Sequence, residues 1–194
     1  MMPGLPFAVG RALQSGSRSR KAILSSTFSM SRLSLRPATP DDAERLFHLM
    51  QFYYFEASAW SGEEVRPDGL FDCDRRDVEA SLRDDPQWAR LLFVDEALAG
   101  FVLVDRVERD GRHYPELADL FVLPKYRRQG LAAYVVNALV RPGEGQWLLA
   151  VFRGDVAAHA YWLRTLPRLG LPHVELAEDD PRFHLYLIGG PPRL

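Results

Sequence analysis

Leu117-Ala118-Asp119-Leu120-Phe121-Val122-Leu123-Pro124-Lys125-Tyr126-Arg127-Arg128-Gln129-Gly130-Leu131-Ala132-Ala133 packs a strand, a basic turn and the start of a helix into one short run. Residues 117–123 are almost wholly apolar, which suits a strand buried on both faces or at a sheet centre. Pro124 ends it, having no N–H to give to a ladder. From Leu131 the spacing turns helical, with Leu131, Val135 and Leu139 on one stripe. The turn between holds two arginines and a glycine and opens straight into that helix. A helix start presents backbone N–H groups without internal partners, at the positive end of the dipole. Gly130 lets the chain come close to a bulky anion, and Arg127 and Arg128 add formal charge. The turn therefore reads as a phosphate cradle. On spacing alone a second reading stands beside it, in which Arg and Gly serve turn geometry only. The loop lacks the Lys-Ser/Thr end of a nucleotide P-loop and the three glycines of a dinucleotide fingerprint.

The pattern Arg127-x-x-Gly130-x-Ala132, after an apolar strand ending Val122-x-Pro124 and before a helix, resembles the pyrophosphate loop of the GNAT superfamily of N-acetyltransferases. That loop reads Arg/Gln-x-x-Gly-x-Gly/Ala. The likeness runs, in order of elements, over residues 32–188. Phe121-Val122-Leu123-x-Lys125-Tyr126-Arg127-Arg128, with the later Ala158-x-x-Tyr161-Trp162, is most similar to an uncharacterised predicted-acetyltransferase branch. The resemblance implies an α/β (α+β) chain with the acyl-CoA N-acyltransferase fold, a mixed central sheet of six to seven strands flanked by helices. It implies acetyl-CoA as co-substrate and direct attack of a primary amine on the thioester. Leu120, Phe121 and Val122 would hold the pantetheine arm through backbone groups left unpaired where strands splay. The acetyl carbonyl would sit near the Val122 N–H. Arg127, Arg128, Gln129, Gly130, Leu131, Ala132 and Ala133 would cradle the diphosphate.

Proton handling departs from the family pattern. Many relatives carry a Tyr at the last place of an Ala-x-x-Phe/Leu-Tyr motif, where it protonates the leaving thiolate. Here that place is Trp162, which cannot donate as a phenol does. Tyr161 is adjacent, but one residue along a helix turns it about 100° away. A family Asn near the cofactor corresponds to Asp155, which also suits a helix cap. Asp119 on the central strand is the best-placed general base, acting through a water; the alternative is that it caps or pairs with an Arg. Glu116 and His159 are weaker candidates. Two functions follow: an N-acetyltransferase with an unspecified amine or peptide acceptor, or a non-catalytic CoA-binding sensor or interaction module.

The bulk numbers bound the rest. At 47% hydrophobic and 26% charged, this reads as a globular domain with a substantial core. A net charge of −2 gives no reason to expect nucleic acid or an anionic membrane as partner. No apolar run approaches the ~20 residues that span a bilayer. The expected setting is cytoplasmic, as monomer or homodimer. Cys73 is the single cysteine; it excludes an intrachain disulfide, and Asp72 and Asp74 on either side should keep its thiol protonated. The five histidines show no ligand spacing, so no metal is expected.

Residues 1–31 hold Arg11, Arg18, Arg20 and Lys21 among serines and no acid. Taking those four positive charges from −2 leaves −6 on the remainder. The segment reads as a disordered extension, either a transit peptide or residues upstream of a true initiator at Met30. The domain proper is expected over 32–188 and a fraying tail over 189–194. Within the domain, a strand at Ser31–Arg36 precedes a helix capped at Thr39-Pro40-Asp41-Asp42. Its aromatic end, Phe52 to Glu56, reads as core or as the wall of an acceptor pocket running on to Trp60. A helix over Asp74–Leu82 follows. Strands at Trp88–Val94 and Leu98–Val104 join through Asp95-Glu96-Ala97. Glu108 to Arg112 forms the next turn. Gln146–Phe152 is a strand parallel to the central one, and Asp155 opens a helix stopped by Pro167. Strands near His173–Ala177 and Phe183–Ile188 close the domain.

Overall fold

The computed structural model describes residues 32–190 apart from 142, 144, 178 and 179. The extension expected over 1–31, and positions 191–194 of the expected tail, lie outside the described residues. The strands are β1 Leu33–Pro37, β2 Ala89–Val94, β3 Ala97–Arg109, β4 Arg112–Val122, β5 Trp147–Phe152, β6 His173–Leu176 and β7 Phe183–Ile188. The helices are α1 Ala43–Ser61, α2 Arg75–Asp84, α3 Leu131–Leu139 and α4 Val156–Arg168. The strands form one sheet in the order β1-β2-β3-β4-β5-β7-β6. Only the β4–β5 neighbours run parallel, as a crossover through α3 requires.

Alternation along the strands feeds two cores, one on each face. Val102, Val104, Leu117 and Leu149 face α3 and α4, meeting Leu131, Val135, Val136, Trp162 and Leu166. Leu91, Phe101, Leu103 and Phe121 face the other way, onto Leu46, Leu49 and Met50 of α1 and Val78 and Leu82 of α2. Asp42 anchors the entry to α1, its carboxylate taking both the N–H and the hydroxyl of Thr39 at 3.0 Å.

Two bulges shape the sheet. β2 and β3 pair Leu92 with Gly100 but Phe93 with Leu98, so Ala99 is the extra residue. β3 and β4 pair Leu103 with Asp119 but Val104 with Leu117, so Ala118 is extra. Each bends its strand and deepens the twist. Beside the first, Gly100 lets the β4 backbone come close, the Phe121 carbonyl oxygen lying 2.0 Å from where a Cβ would stand.

The structure differs from the sequence reading at three places. β3 and β4 continue as a long hairpin closed by Asp110-Gly111, at φ 53 and 71, a two-residue turn with both positions left-handed. Pro115 is tolerated inside β4 because β5 pairs only from Glu116 onward, leaving that part of β4 an edge. The Asp95–Glu96 hairpin is likewise a two-residue turn, at φ 48 and 66, rather than a three-residue one. Pro167 falls within the last turn of α4 instead of stopping it. The end is closed after it, by Leu169 N–H to the Thr165 carbonyl at 3.1 Å and Gly170 N–H to that of Pro167 at 3.0 Å.

Cys73 sits at the start of α2, half-buried, with its thiol pushed up to about 11 by burial and then by Asp74 and Asp77. An acid whose value is raised stays protonated at neutral pH. Alkylation of the folded protein by iodoacetamide at pH 8 should therefore run about 100-fold slower than that of the denatured chain. Equal rates would show that the thiol is unshielded.

Candidate active site

The second bulge and a gap in the sheet occur together. β4 and β5 pair over only Glu116–Leu148 and Leu117–Leu149, and Ala118 is the next residue of β4. Beyond it the two strands part, while β5 stays paired with β7 as far as Phe152. Leu123 N–H bonds the Ala99 carbonyl of β3 at 2.8 Å. Strand alternation then turns the backbone groups of Leu120 and Val122 away from β3, toward the gap. The Val122 carbonyl is taken there by Nε of Arg127 at 2.7 Å. The Val122 N–H and both groups of Leu120 remain for a guest strand.

The gap is a cleft of about 100 Å³. Leu117, Ala118 and Leu120 of β4 form one wall, and Leu149 to Phe152 of β5 the other. Asp155, Ala158 and Trp162 close it from α4, and Tyr53 and Trp60 from α1. The aromatic end of α1 thus serves both readings at once. Tyr53 packs in the core, edge-on to Phe101 at 6.0 Å and Phe121 at 6.1 Å, and its surface faces the cleft. Trp60 lies against the β5–α4 turn, so close that a Cβ on Gly154 would meet its own Cβ at 2.7 Å.

At the end of the cleft is the basic turn. After a short 3-10 turn at Pro124–Tyr126, Arg128 adopts φ 61 and Gly130 φ 81, and the chain enters α3. Residues 127–130 are exposed. Among the described residues, none accepts a hydrogen bond from the amides of 128–133; the first amide of this run with an acceptor is Tyr134, on the Gly130 carbonyl at 2.9 Å. Six consecutive N–H groups at a helix start make a well-fitted seat for a diphosphate. Arg127 is placed differently from Arg128. Its guanidinium is held by both carboxylate oxygens of Glu56 on α1, at 2.8 and 2.6 Å, besides the Val122 carbonyl. It ties the turn to α1. The 71 residues separating Arg127 from Glu56 explain why the pattern alone did not reveal that pair.

Asp119 lies behind the β4 wall, on the α1 side, while Ala118 and Leu120 form the wall itself. Burial raises its carboxyl above the usual range, with Asp105 and Glu63 adding to the rise; a hydrogen bond from the Tyr53 hydroxyl acts in the opposite sense. Tyr53 is itself pushed far up by burial and then by Asp119, so its phenol stays protonated. Tyr53 is the residue that sequence reading did not single out; its signal was the aromatic run at 52–55. Trp162 stands in the cleft, buried to 7% exposure, and Tyr161 meets it edge-on at 5.0 Å from outside the lining. Asp155 caps α4, its carboxylate accepting from Ala158 N–H at 2.8 Å. His159 is not part of the cleft lining; its ring is hydrogen-bonded to the Tyr186 hydroxyl at 2.7 Å and stacked on His184. Glu116 is in the paired part of β4. Among the described residues no cluster of three or more His, Cys, Asp or Glu is arranged to hold a metal ion, and no helix is long and apolar enough to cross a membrane.

Comparisons place this geometry among known proteins. A family model described as the acetyltransferase (GNAT) family matches residues 43–166. The diaminobutyrate acetyltransferase of Paenibacillus lautus, solved with L-2,4-diaminobutyric acid and coenzyme A, is 15% identical, with a TM-score of 0.55 over 82% of this chain and 96% of that one. An acetyltransferase of Thermus thermophilus is 22% identical, TM-score 0.56, covering 80% of this chain and 95% of its own. An N-acetyltransferase of Staphylococcus aureus is 16% identical, TM-score 0.56, covering 80% and 99%. No curated protein sequence matches the chain. At these identities the solved structures speak for the fold, and the family match speaks for the lineage.

Proposed function

The chain belongs to the acetyltransferase (GNAT) family, and from that premise we propose that it transfers the acetyl group of acetyl-CoA to a primary amine by direct attack on the thioester. The observation that carries this reading is the run of six amides at 128–133 with no acceptor among the described residues, beginning in the exposed turn 128–130 and ending in the first residues of α3. Both backbone groups of Leu120 and the N–H of Val122 extend the seat along the splayed edge of β4, the groups of Phe121 being turned to β3 instead, and the Val122 N–H would face the acetyl carbonyl as an oxyanion donor. Asp155 borders the same cleft. Asp119 is the general base. Its neighbours Glu63 and Asp105 make that flank acidic, which suits an acceptor that arrives as a cation. L-2,4-Diaminobutyrate, seen in one structural neighbour, is a natural first amine to test.

A second reading is favoured by Trp162, which fills the position of the family phenol: the chain binds CoA without turning it over. One pair of measurements separates the two. Acetyl-CoA at about 100 times its Kd should stabilise the protein by about 2.7 kcal/mol, a rise of roughly 5–10 °C in Tm. Free-thiol release is then followed with L-2,4-diaminobutyrate, putrescine, L-lysine and tyramine as acceptors. A thermal shift with no thiol release from any amine would leave the binding module as the answer. No shift at all would remove both readings.

A further inference from the structure

We propose that Arg127, held by Glu56, is a positioning residue for acetyl transfer, fixing the Val122 peptide so that its N–H meets the thioester oxygen. This rests on the acetyltransferase reading above, and it gives the Arg127 side chain a task other than holding phosphate. Nε of Arg127 donates to the Val122 carbonyl at 2.7 Å. An outer nitrogen of the same guanidinium donates to both carboxylate oxygens of Glu56, at 2.8 and 2.6 Å. The guanidinium carbon lies 5.7 Å from the centre of the Phe121 ring. The far side of the Val122–Leu123 peptide is fixed too, since Leu123 N–H bonds the Ala99 carbonyl at 2.8 Å. The preceding peptide, which carries the Val122 N–H, is backed by Gly100 at the Phe121 carbonyl. Two successive peptide planes are thus set by neighbours, and among these contacts that of Arg127 is the one on the cleft side.

Glu56 stands on α1 three residues after Tyr53 and four before Trp60, on the helix face of those two wall residues. The pair therefore spans from the α1 wall of the cleft to the β4 edge. Stability does not account for it. The Arg127 and Glu56 side chains are 40% and 33% exposed, and ion pairs at such exposure add little to folding. Catalysis gives the arrangement a purpose. As an amine nitrogen bonds to the thioester carbon, an electron pair of the C=O bond moves onto oxygen. A donor stabilises that charge well only if it is already aimed there, and a misplacement of about 1 Å can cost about 100-fold in rate.

Arg127→Met keeps an apolar stem and removes the donors. Its kcat at saturating acetyl-CoA and amine should fall about 30-fold, short of the ~100-fold or more that follows outright loss of an oxyanion donor. Glu56→Gln should fall by less. The double variant should fall no further than Arg127→Met, because Glu56 acts through Arg127. Arg127→Lys can reach the carbonyl but lacks the planar fork that serves both partners, so it should recover part of the rate. The double variant Glu56→Gln/Arg127→Met loses one charge of each sign, so its Kd for acetyl-CoA should stay within about threefold of the wild type. A readout independent of turnover is the nitrogen-15 resonance of Leu123 in the unliganded protein, because that nitrogen shares a peptide with the bonded Val122 carbonyl. It should move in Arg127→Met while Tm stays near that of the wild type. Full kcat in Arg127→Met, an unmoved Leu123 resonance, or a tenfold loss of acetyl-CoA affinity in the double variant overturns the assignment and leaves the acetyltransferase reading intact. Wild-type protein that binds acetyl-CoA but releases no thiol with any of the four amines overturns both.

Discussion

Gly130→Asp should leave the protein folded and weaken acetyl-CoA binding by at least 100-fold. Nothing lies within 4 Å of where a Cβ would project at this residue, so the substitution meets no steric barrier. Its φ of 81 costs a non-glycine residue about 1 kcal/mol, and Asp is among the types that tolerate the left-handed region best. The binding penalty is electrostatic. A carboxylate ~5 Å from a phosphate charge at an effective dielectric near 20 opposes it by about 3 kcal/mol, or roughly two decades in Kd. Isothermal titration with acetyl-CoA measures that loss. Acetyl-pantetheine, which carries no diphosphate, supplies the control: its turnover should be equal in wild type and variant. Undiminished acetyl-CoA affinity would move the diphosphate away from this turn.

Gly100→Ala should be far more damaging to the fold. The added Cβ would stand 2.0 Å from the Phe121 carbonyl oxygen, 3.0 Å from its carbon and 3.1 Å from the Val122 Cα. All three are backbone atoms, and β3 is held between β2 and β4, so neither side can yield by changing a rotamer. Ordinary overpacking costs about 1–3 kcal/mol, and this collision belongs above that range. A Tm lowered by about 10 °C, or insoluble protein, is the expected result. Gly111→Ala provides the comparison, since that turn has nothing within 4 Å of the added atom and pays only for its φ, about 1 kcal/mol. Equal melting temperatures for the two variants would mean that β3 and β4 can part at this point.

Much of the site was legible because it is built from backbone. An apolar run, a proline, a glycine and a helical stripe were enough to place β4, the turn and α3, and the amides of 128–133 follow from that placement whatever the side chains are. What stayed hidden depends on pairing across the sheet. The bulge at Ala118 leaves no mark in composition, since an alanine in register and one out of it look alike. The long arm of β3 and β4 was lost because residues 105–116 alternate with exposed polar groups and include Pro115, so no apolar face announces a strand. Arg127 was read by its charge as a ligand for phosphate; its partner Glu56 sits on a helix where no local spacing connects the two. Tyr53 was read with its aromatic neighbours as core or pocket wall, and it takes part in both. Asp119 was read on the right strand as a base acting through a water; which layer it occupies depends on the bulge beside it, which the sequence does not announce.

The two-pair seam between β4 and β5 also has a mechanical meaning. A continuous ladder would weld the molecule into one slab. Here β1 to β4 and β5 to β7 are two plates joined by a short hinge of backbone, with α3 and α4 laid over the joint. On the proposed seat, a thioester arm stretched along the free edge would act as a splint across them, so that loading the donor would also stiffen the frame that holds the acceptor in line.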